Sequence, residues 1–211
     1  LAALEDQKGC PLSEKRLMDE ALTLSITGFE TLVDGLVWTL HLLSRHPQIQ
    51  ERLADEAARF DSRDYRHLEY TGRVLQESLR MFPPTWIFLR VPRSPELLPS
   101  GMEVPEGGKL YLCPWVTGRE ARFFPDPLRF DPDRFTREAV AQRPLLSYFP
   151  FGFGPRTCIG RFLALREGVL ILARIAQRFR VEAWDDRPVV PNPGITLSPK
   201  GPVPVRLVSR G

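Results

Sequence analysis

The sequence predicts a mainly α-helical protein with small β-sheets, and three features of its 211 residues carry that prediction. Apolar and small residues recur every three or four positions over residues 17–42, and an apolar helical pattern returns over residues 159–179. Between these stretches, prolines are concentrated from Pro83 to Pro155, with short apolar and aromatic runs typical of strands. Because 43% of the residues are hydrophobic, the chain can bury a sizeable core, and we expect a single-domain portion over residues 1–211.

The first predicted element is one long helix over residues 13–45. Ser13 is a favoured N-cap residue, and Pro47 limits the helix at its other end. A helix of about thirty residues is roughly 45 Å long, which is enough to cross a domain. Charged side chains interrupt its apolar residues well short of the about eighteen that a membrane span requires, so it is not expected to cross a membrane.

Two shorter helices are predicted over residues 47–60 and 68–82, and Pro83-Pro84 ends the second. The second helix carries Glu77 and Arg80, which lie three residues apart and can form an ion pair. Exposed pairs of this kind are common and contribute only a few tenths of a kcal/mol. The pair by itself therefore indicates little.

Short strands are predicted over residues 86–91 and 109–112, and a β-hairpin over residues 194–208. Arg90 lies in the apolar run of the first strand, where a charged group needs a partner. The final helix is predicted over residues 159–179 and ends in arginines, which suit the negative end of a helix dipole.

The loop over residues 149–160 carries the strongest chemical signal. Only a thiolate ligates a metal, and a place in the first turn of the final helix would favour the anionic form of Cys158. Gly154 and Gly160 leave room for a flat group beside the sulfur, and Arg156 can bind a carboxylate with two hydrogen bonds. These features fit haem better than zinc, which would require more cysteines or histidines at short spacing.

Two other interpretations of this loop are open. A glycine-rich dinucleotide loop is the first, but Pro155 and Arg156 follow where that motif needs a helix leading to a third glycine. The second is a buried structural cysteine that packs as a small hydrophobic residue.

The loop resembles the haem-ligand signature of the cytochrome P450 superfamily, Phe-x-x-Gly-x-Arg-x-Cys-x-Gly. The matching residues are Phe151, Gly154, Arg156, Cys158 and Gly160. The resemblance implies the cytochrome P450 fold, with Cys158 as the iron ligand of haem b (iron protoporphyrin IX). It also implies that the other four residues help to bind the cofactor, Arg156 through a haem propionate.

A second motif lies in the long helix, where Thr27-Gly28-Phe29-Glu30-Thr31 resembles the family's oxygen-binding helix. Gly28 costs up to about 1 kcal/mol relative to alanine inside a helix, so the helix is expected to need the space that it leaves. The resemblance implies that Thr31 delivers protons during oxygen activation, with Glu30 supporting it. The alternative is a helix whose hydroxyl groups bond back to the preceding turn.

Three further arginines gain a role from the resemblance. In this family the Glu-x-x-Arg pair is joined by a later arginine, and Arg134 matches it. The resemblance therefore assigns Glu77, Arg80 and Arg134 to a structural network and not to catalysis. Arg90, which follows the double proline, resembles the family's second arginine for the haem propionates.

The implied function is a haem-thiolate monooxygenase that inserts one atom of O2 into an apolar organic substrate. Electrons would come from a ferredoxin or flavodoxin-type donor with its reductase, and Trp86 and Phe88 favour a large substrate such as a lipid, terpenoid or carotenoid. The alternatives are a peroxide-using haem-thiolate enzyme (peroxygenase, isomerase or lyase) and a non-catalytic haem-binding fragment.

Composition limits the compartment and the partners. A net charge of +3 with no clustered patch does not favour nucleic acid binding. Scattered cysteines without an apparent signal peptide favour a cytoplasmic location, although a membrane anchor in an N-terminal part is left open. The resemblance covers only the C-terminal half of the family's usual length, so we expect an N-terminal half, which a separate chain could supply.

Overall fold

Six helices are the main elements of the structure, a computed structural model that describes residues 13–60 and 67–211. They are α1 (Glu14–Ser44), α2 (Pro47–Ala58), α3 (Glu69–Met81), α4 (Pro114–Thr117), α5 (Arg137–Gln142) and α6 (Arg161–Arg178). Two short 3-10 helices cover Pro132–Phe135 and Gly154–Arg156. Together with the small sheets described below, these helices confirm the predicted mainly α-helical fold.

Helix α1 is long because its sequence supplies a signal at each end. The Ser13 hydroxyl accepts a hydrogen bond from the Arg16 amide at 3.3 Å, which caps the first turn. At the other end the Arg45 amide bonds back to Leu42, and α2 begins at Pro47 with proline in its first turn. Only the C-terminal part of α1, from Asp34 onward, contains buried residues.

The core lies where α2, α3 and α6 pack against that C-terminal part of α1. Leu53, Val74 and Leu172 are among the side chains removed almost completely from solvent there. Burying a side chain of this size stabilises the fold by roughly 1.5–3 kcal/mol relative to leaving it in water. Among the described residues, no helix combines the length and the apolar composition needed to cross a bilayer.

Within the described residues, eight short strands pair in four antiparallel sheets of two strands each. The strands are β1 (Phe88–Arg90), β2 (Glu96–Leu97), β3 (Glu103–Val104), β4 (Leu110–Leu112), β5 (Phe179–Ala183), β6 (Pro191–Pro193), β7 (Leu197–Pro199) and β8 (Val205–Ser209). β1 pairs with β4, β2 with β3, β5 with β8 and β6 with β7. Phe88 of β1 lies beside Gly152 of the cysteine loop described below.

The predicted hairpin over residues 194–208 is wrong in its pairing. The C-terminal hairpin is formed by β6 and β7 around a tip at residues 194–196, and β8 leaves it to pair with β5. Pro202 and Pro204 have no amide hydrogen to donate, so the chain cannot continue a ladder there. The strand resumes only at Val205, which pairs with Ala183 of β5, and the buried Val181 of β5 lies opposite Leu207.

Candidate functional site

The cysteine loop is closed by its own backbone. The Cys158 amide donates to the Phe151 carbonyl at 2.9 Å, and the Thr157 amide donates to the Gly154 carbonyl at 3.0 Å. Gly152 and Gly154 both have a φ of 69°, a left-handed conformation that glycine adopts without a Cβ penalty. The glycines therefore allow the tight turn that leaves the Cys158 side chain exposed.

The sequence pattern predicted Cys158 in the first turn of the final helix, and this prediction is wrong. Helix α6 begins at Arg161 with Gly160 as its N-cap residue, so the cysteine lies two residues before the cap. The apolar pattern included Ile159, but this side chain is 92% exposed and contributes nothing to the inner face of the helix.

The surroundings of the thiol fit a flat, apolar cofactor. Exposed apolar side chains flank it, among them Phe153, Ile159 and Phe162, and such a surface normally meets a ligand or another surface. A Cβ added at Gly160 would lie 3.9 Å from the Cys158 sulfur, so glycine leaves space beside it. An exposed thiol also contradicts the interpretation of Cys158 as a buried structural cysteine.

Arg90 and Arg156 are the arginines expected to hold the cofactor's carboxylates. Within residues 13–60 and 67–211 neither forms an ion pair with an acidic side chain. Arg90 donates only to the Leu89 carbonyl, at 2.9 Å, and its guanidinium lies 6.0 Å from the centre of the Phe88 ring. Both cations are therefore available for the carboxylates of a bound group.

β1 and the segment that precedes it contact both the cysteine loop and the tip of the β6–β7 hairpin. A Cβ added at Gly152 would lie 3.5 Å from the Phe88 ring, so this aromatic residue packs against the loop. The Trp86 indole donates to the Gly194 carbonyl at 3.0 Å, at the tip of the β6–β7 hairpin. The aromatic residues predicted to favour an apolar substrate thus stand between two elements of the candidate site.

In the oxygen-helix motif, the Thr31 hydroxyl donates to the Thr27 carbonyl at 2.8 Å, and the Thr27 hydroxyl repeats this pattern one turn earlier. The expected back-bonding of hydroxyl groups is therefore present. Gly28 lies three residues before Thr31, and a Cβ added there would meet nothing within 4 Å. The motif combines a hydroxyl group with open space on one helix.

Sequence analysis missed a pair of residues next to Glu30. The Thr196 hydroxyl, at the hairpin tip, donates to Glu30 Oε1 at 3.4 Å. Asp34, one turn along α1, is only 7% exposed. Burial raises the pKa of the Asp34 carboxyl, a hydrogen bond with Thr196 opposes the rise, and the charge of Glu30 adds to it. The spacing of Glu30 and Asp34 signals a shared face, but nothing local indicates Thr196.

The structure brings Glu77, Arg80 and Arg134 together. Arg80 donates from Nε and Nη2 to the two Glu77 oxygens at 2.6 and 2.8 Å, and both side chains are fully buried. Arg134 Nε lies 3.4 Å from Glu77 Oε1, which also accepts from the Asp131 amide at 3.0 Å. Burial raises the pKa of Glu77, while the bonds and charge of Arg80 oppose that rise.

Arg80 and Arg134 also bind backbone carbonyl groups. Arg80 Nη1 donates to the Gly118 carbonyl at 2.5 Å, and Arg134 donates to the Pro125 and Asp126 carbonyls at 2.5 and 2.7 Å. These bonds tie the irregular segment before the 3-10 helix Pro132–Phe135 to α3. Glu77 and Arg80 are fully buried and the Arg134 side chain is 12% exposed, so the network joins α3 to the irregular segment around residues 118–134.

Comparison with known proteins gives one consistent family. A sequence model described as Cytochrome P450 matches residues 1–204. The chain is 35% identical over 205 residues to cyclooctatin synthase and 36% identical over 203 residues to cyclooctat-9-en-7-ol 5-monooxygenase, both from Streptomyces melanosporofaciens. It is 36% identical over 197 residues to pentalenene oxygenase from Streptomyces avermitilis.

These matches cover between 90% and 93% of the chain but only between 42% and 44% of each relative. The chain therefore spans less than half the length of the curated relatives that it matches.

Proposed function

The chain belongs to the cytochrome P450 family, and from that premise we propose that it is the haem-binding part of a haem-thiolate monooxygenase. The proposed reaction inserts one atom of O2 into an apolar organic substrate. The observation that carries the proposal is the exposed Cys158 thiol on a glycine-rich loop, with uncovered apolar side chains around it. The names of two relatives, pentalenene oxygenase and cyclooctat-9-en-7-ol 5-monooxygenase, support this reaction type.

The cofactor proposed is haem b, with Cys158 as its thiolate ligand. When bound, a haem with a thiolate ligand supplies the chemistry that cleaves the O–O bond. Arg90 and Arg156 would each bind a propionate, since neither has an acidic partner in the part of the chain that the structure describes. Phe151, Gly154 and Gly160 would hold the loop in the conformation that presents the sulfur.

The proton side of the reaction falls to α1. Thr31 would pass protons toward the reacting oxygen through its hydroxyl group, and the protonated Glu30 carboxyl group would supply each proton and become a carboxylate. Gly28 leaves the space beside this hydroxyl in which a small molecule can lie. These assignments require only that the Thr31 hydroxyl exchange its bond to the Thr27 carbonyl for one to the reactants.

The side chains around the loop support a proposal for the class of substrate and the class of electron donor. Trp86 and Phe88 are apolar side chains beside the hairpin tip and the loop, which suits a large apolar substrate such as a terpenoid. A ferredoxin or flavodoxin-type donor would bring acidic groups to the positive charges of Arg161 and Arg166, which follow Cys158 in the chain. A second segment or chain would complete the substrate pocket.

The test of the ligand is spectroscopic. In the haem-loaded natural protein that contains this chain, replacing Cys158 with alanine should abolish the strongly red-shifted Soret band of the reduced carbon monoxide complex. Cys113→Ala is the matched control, because this half-buried thiol donates to the Trp86 carbonyl and does not lie in the loop. A Cys158→Ala variant that kept the band would overturn the proposal.

A second measurement separates a monooxygenase from a peroxide-using enzyme. The wild-type protein should form product with O2 and an electron donor, and the Thr31→Ala variant should keep haem but divert electrons to peroxide or water. Turnover that depends on added peroxide, and is indifferent to Thr31, would contradict the monooxygenase.

A further inference from the structure

One face of α1 is joined to the β6–β7 hairpin by polar contacts. Glu30, Asp34 and Trp38 are spaced four residues apart and share this face. Trp38 Nε1 donates to the Leu197 carbonyl at 2.8 Å, and the Thr196 hydroxyl donates to Glu30 Oε1 at 3.4 Å. Asp34 lies between these two contacts. The hairpin is therefore fixed against the helix on both sides of Asp34.

Asp34 is an acidic residue in a place that does not suit a charge. Asp34 is 7% exposed, and its Oδ2 atom has no hydrogen-bond partner in the described part of the chain. Buried polar atoms are normally satisfied, so such an atom calls for an explanation. A carboxyl group in this situation avoids the cost of a buried charge by keeping a proton.

Two groups that face Asp34 act on its pKa in opposite directions: the Glu30 charge raises it, and the Thr196 hydroxyl lowers it. Glu30, on its own helix, is the ionisable neighbour and carries a negative charge, and the hairpin contributes the Thr196 hydroxyl. Next along the helix, Gly35 lies against the apolar side chains of Leu79 and Pro84. Burial raises the pKa of Asp34 most, the Thr196 hydrogen bond lowers it, and the Glu30 charge raises it. No cation in the described ranges is among these causes.

We propose that Asp34 stores the proton that recharges Glu30, and that it acts through the Thr196 hydroxyl. This inference rests on the proposed monooxygenase, in which Glu30 gives up a proton toward Thr31. The Asp34 carboxyl passes its proton to the Thr196 oxygen, and Thr196 passes its own hydroxyl proton to the Glu30 carboxylate. Asp34 is left as a carboxylate and regains a proton from water, so one proton moves and no electron does.

Asp34 is a positioning residue in this scheme, because it touches neither substrate nor cofactor. On the helix it projects between the directions of Glu30 and Thr31, since each residue turns by about 100°. The hairpin tip brings the Thr196 hydroxyl to Glu30 Oε1, and the same hydroxyl acts on the pKa of Asp34, although the two elements are far apart in the chain.

The experiment uses the haem-loaded natural protein and three variants. Asp34→Asn has the same shape but cannot carry the proton, Asp34→Glu restores a titratable group, and Thr196→Val removes only the hydroxyl. The measured quantity is product formed per pair of electrons consumed, as a function of pH. We expect Asp34→Asn and Thr196→Val to lose coupling several-fold with an unchanged substrate KM, and Asp34→Glu to recover most of it.

Infrared difference spectroscopy provides a readout that does not depend on turnover. The wild-type protein should show the carbonyl stretch of a protonated carboxylic acid at pH values above the ordinary range for aspartate, and Asp34→Asn should lack it. Absence of this band in the wild type, or normal coupling in both Asp34→Asn and Thr196→Val, would overturn the inference. If the wild type made no product with O2 while the band was present, the proposed function would fail instead.

The pH dependence of stability provides another test of the raised pKa of Asp34. A carboxyl group whose pKa is raised in the folded protein stabilises the fold at acid pH, and this contribution is lost as pH rises through the folded pKa. The wild type should therefore lose stability relative to Asp34→Asn as pH increases toward neutral. An identical pH dependence in the two proteins would contradict a raised pKa.

Discussion

Glu77 is a buried acidic residue whose two oxygens are both engaged. Arg80 binds it with two hydrogen bonds, and Arg134 and the Asp131 amide approach the same Oε1 atom. Pairing of this kind offsets the cost of removing three charges from water, but it does not by itself make the fold more stable than apolar packing would. Its physical consequence is that no member can be removed alone.

We therefore expect Glu77→Gln to lower the free energy of unfolding by about 3–5 kcal/mol, because it leaves two guanidinium groups without a counter-charge. Glu51→Gln is the matched control, since Glu51 pairs with Arg210 at a partly exposed site. The control should cost about 1 kcal/mol or less. Denaturant unfolding of both variants measures the difference. Equal losses of unfolding free energy would mean that the network contributes no more than an ordinary surface ion pair.

At the scale of elements, the β6–β7 hairpin is held by contacts to two other segments. The Trp38 indole donates to the Leu197 carbonyl, the Leu197 amide donates to the Pro84 carbonyl at 2.8 Å, and the Trp86 indole donates to Gly194. The hairpin is too short to be stable by itself. Its conformation therefore depends on α1 and on the segment that precedes β1.

Replacing Trp38 with phenylalanine should release the hairpin while leaving most of the apolar packing in place. The Trp38 ring is stacked on Phe82 at a centroid distance of 4.0 Å, a contact that phenylalanine can largely keep. The Leu197 carbonyl would lose its buried donor, at a cost of about 1–3 kcal/mol. Hydrogen exchange of the β6 and β7 amides should become faster.

Trp184→Phe is the control for that experiment. Trp184 is 59% exposed, so the change should alter the free energy of unfolding by no more than about 0.5 kcal/mol. Unchanged amide exchange in Trp38→Phe would mean that α1 does not hold the hairpin.

Elements defined by local signals could be predicted from sequence, and those defined by distant contacts could not. The Ser13 cap and Pro47 placed the ends of the long helix within a residue of Glu14 and Ser44. The β5–β8 pairing depends on residues over twenty positions apart, and no turn signal announces it. In the site, the motifs identified Cys158 and Glu30, but Thr196 reaches Glu30 only through the fold.

At the scale of the whole molecule, the N-terminal half of α1, before Asp34, contains no buried residue. Its exposed large apolar side chains are Met18, Leu22, Leu24, Ile26, Phe29 and Val33. An apolar surface of this extent is normally covered by another surface. Because the chain spans less than half of its relatives' length, a further segment or a separate chain is the cover that we expect.

Phe29, which is 74% exposed, provides the test of that expectation. In the 211-residue chain, Phe29→Ser should change the free energy of unfolding by no more than about 0.5 kcal/mol, because the ring already lies in water. In the natural protein, where the face would be covered, the same change should cost about 3 kcal/mol or more, as for a large aromatic side chain removed from a core.

Leu145→Ser separates a covered face from a general effect of chain length. Leu145 is 92% exposed and lies in a loop outside α1, so its replacement should have little effect in either protein. A loss at Phe29 confined to the longer protein would mean that α1 is an interior helix whose oxygen-helix motif is enclosed from both sides. Equal and small effects at Phe29 in both proteins would mean that this half of α1 remains in solvent, and that water reaches Glu30 and Thr31 directly.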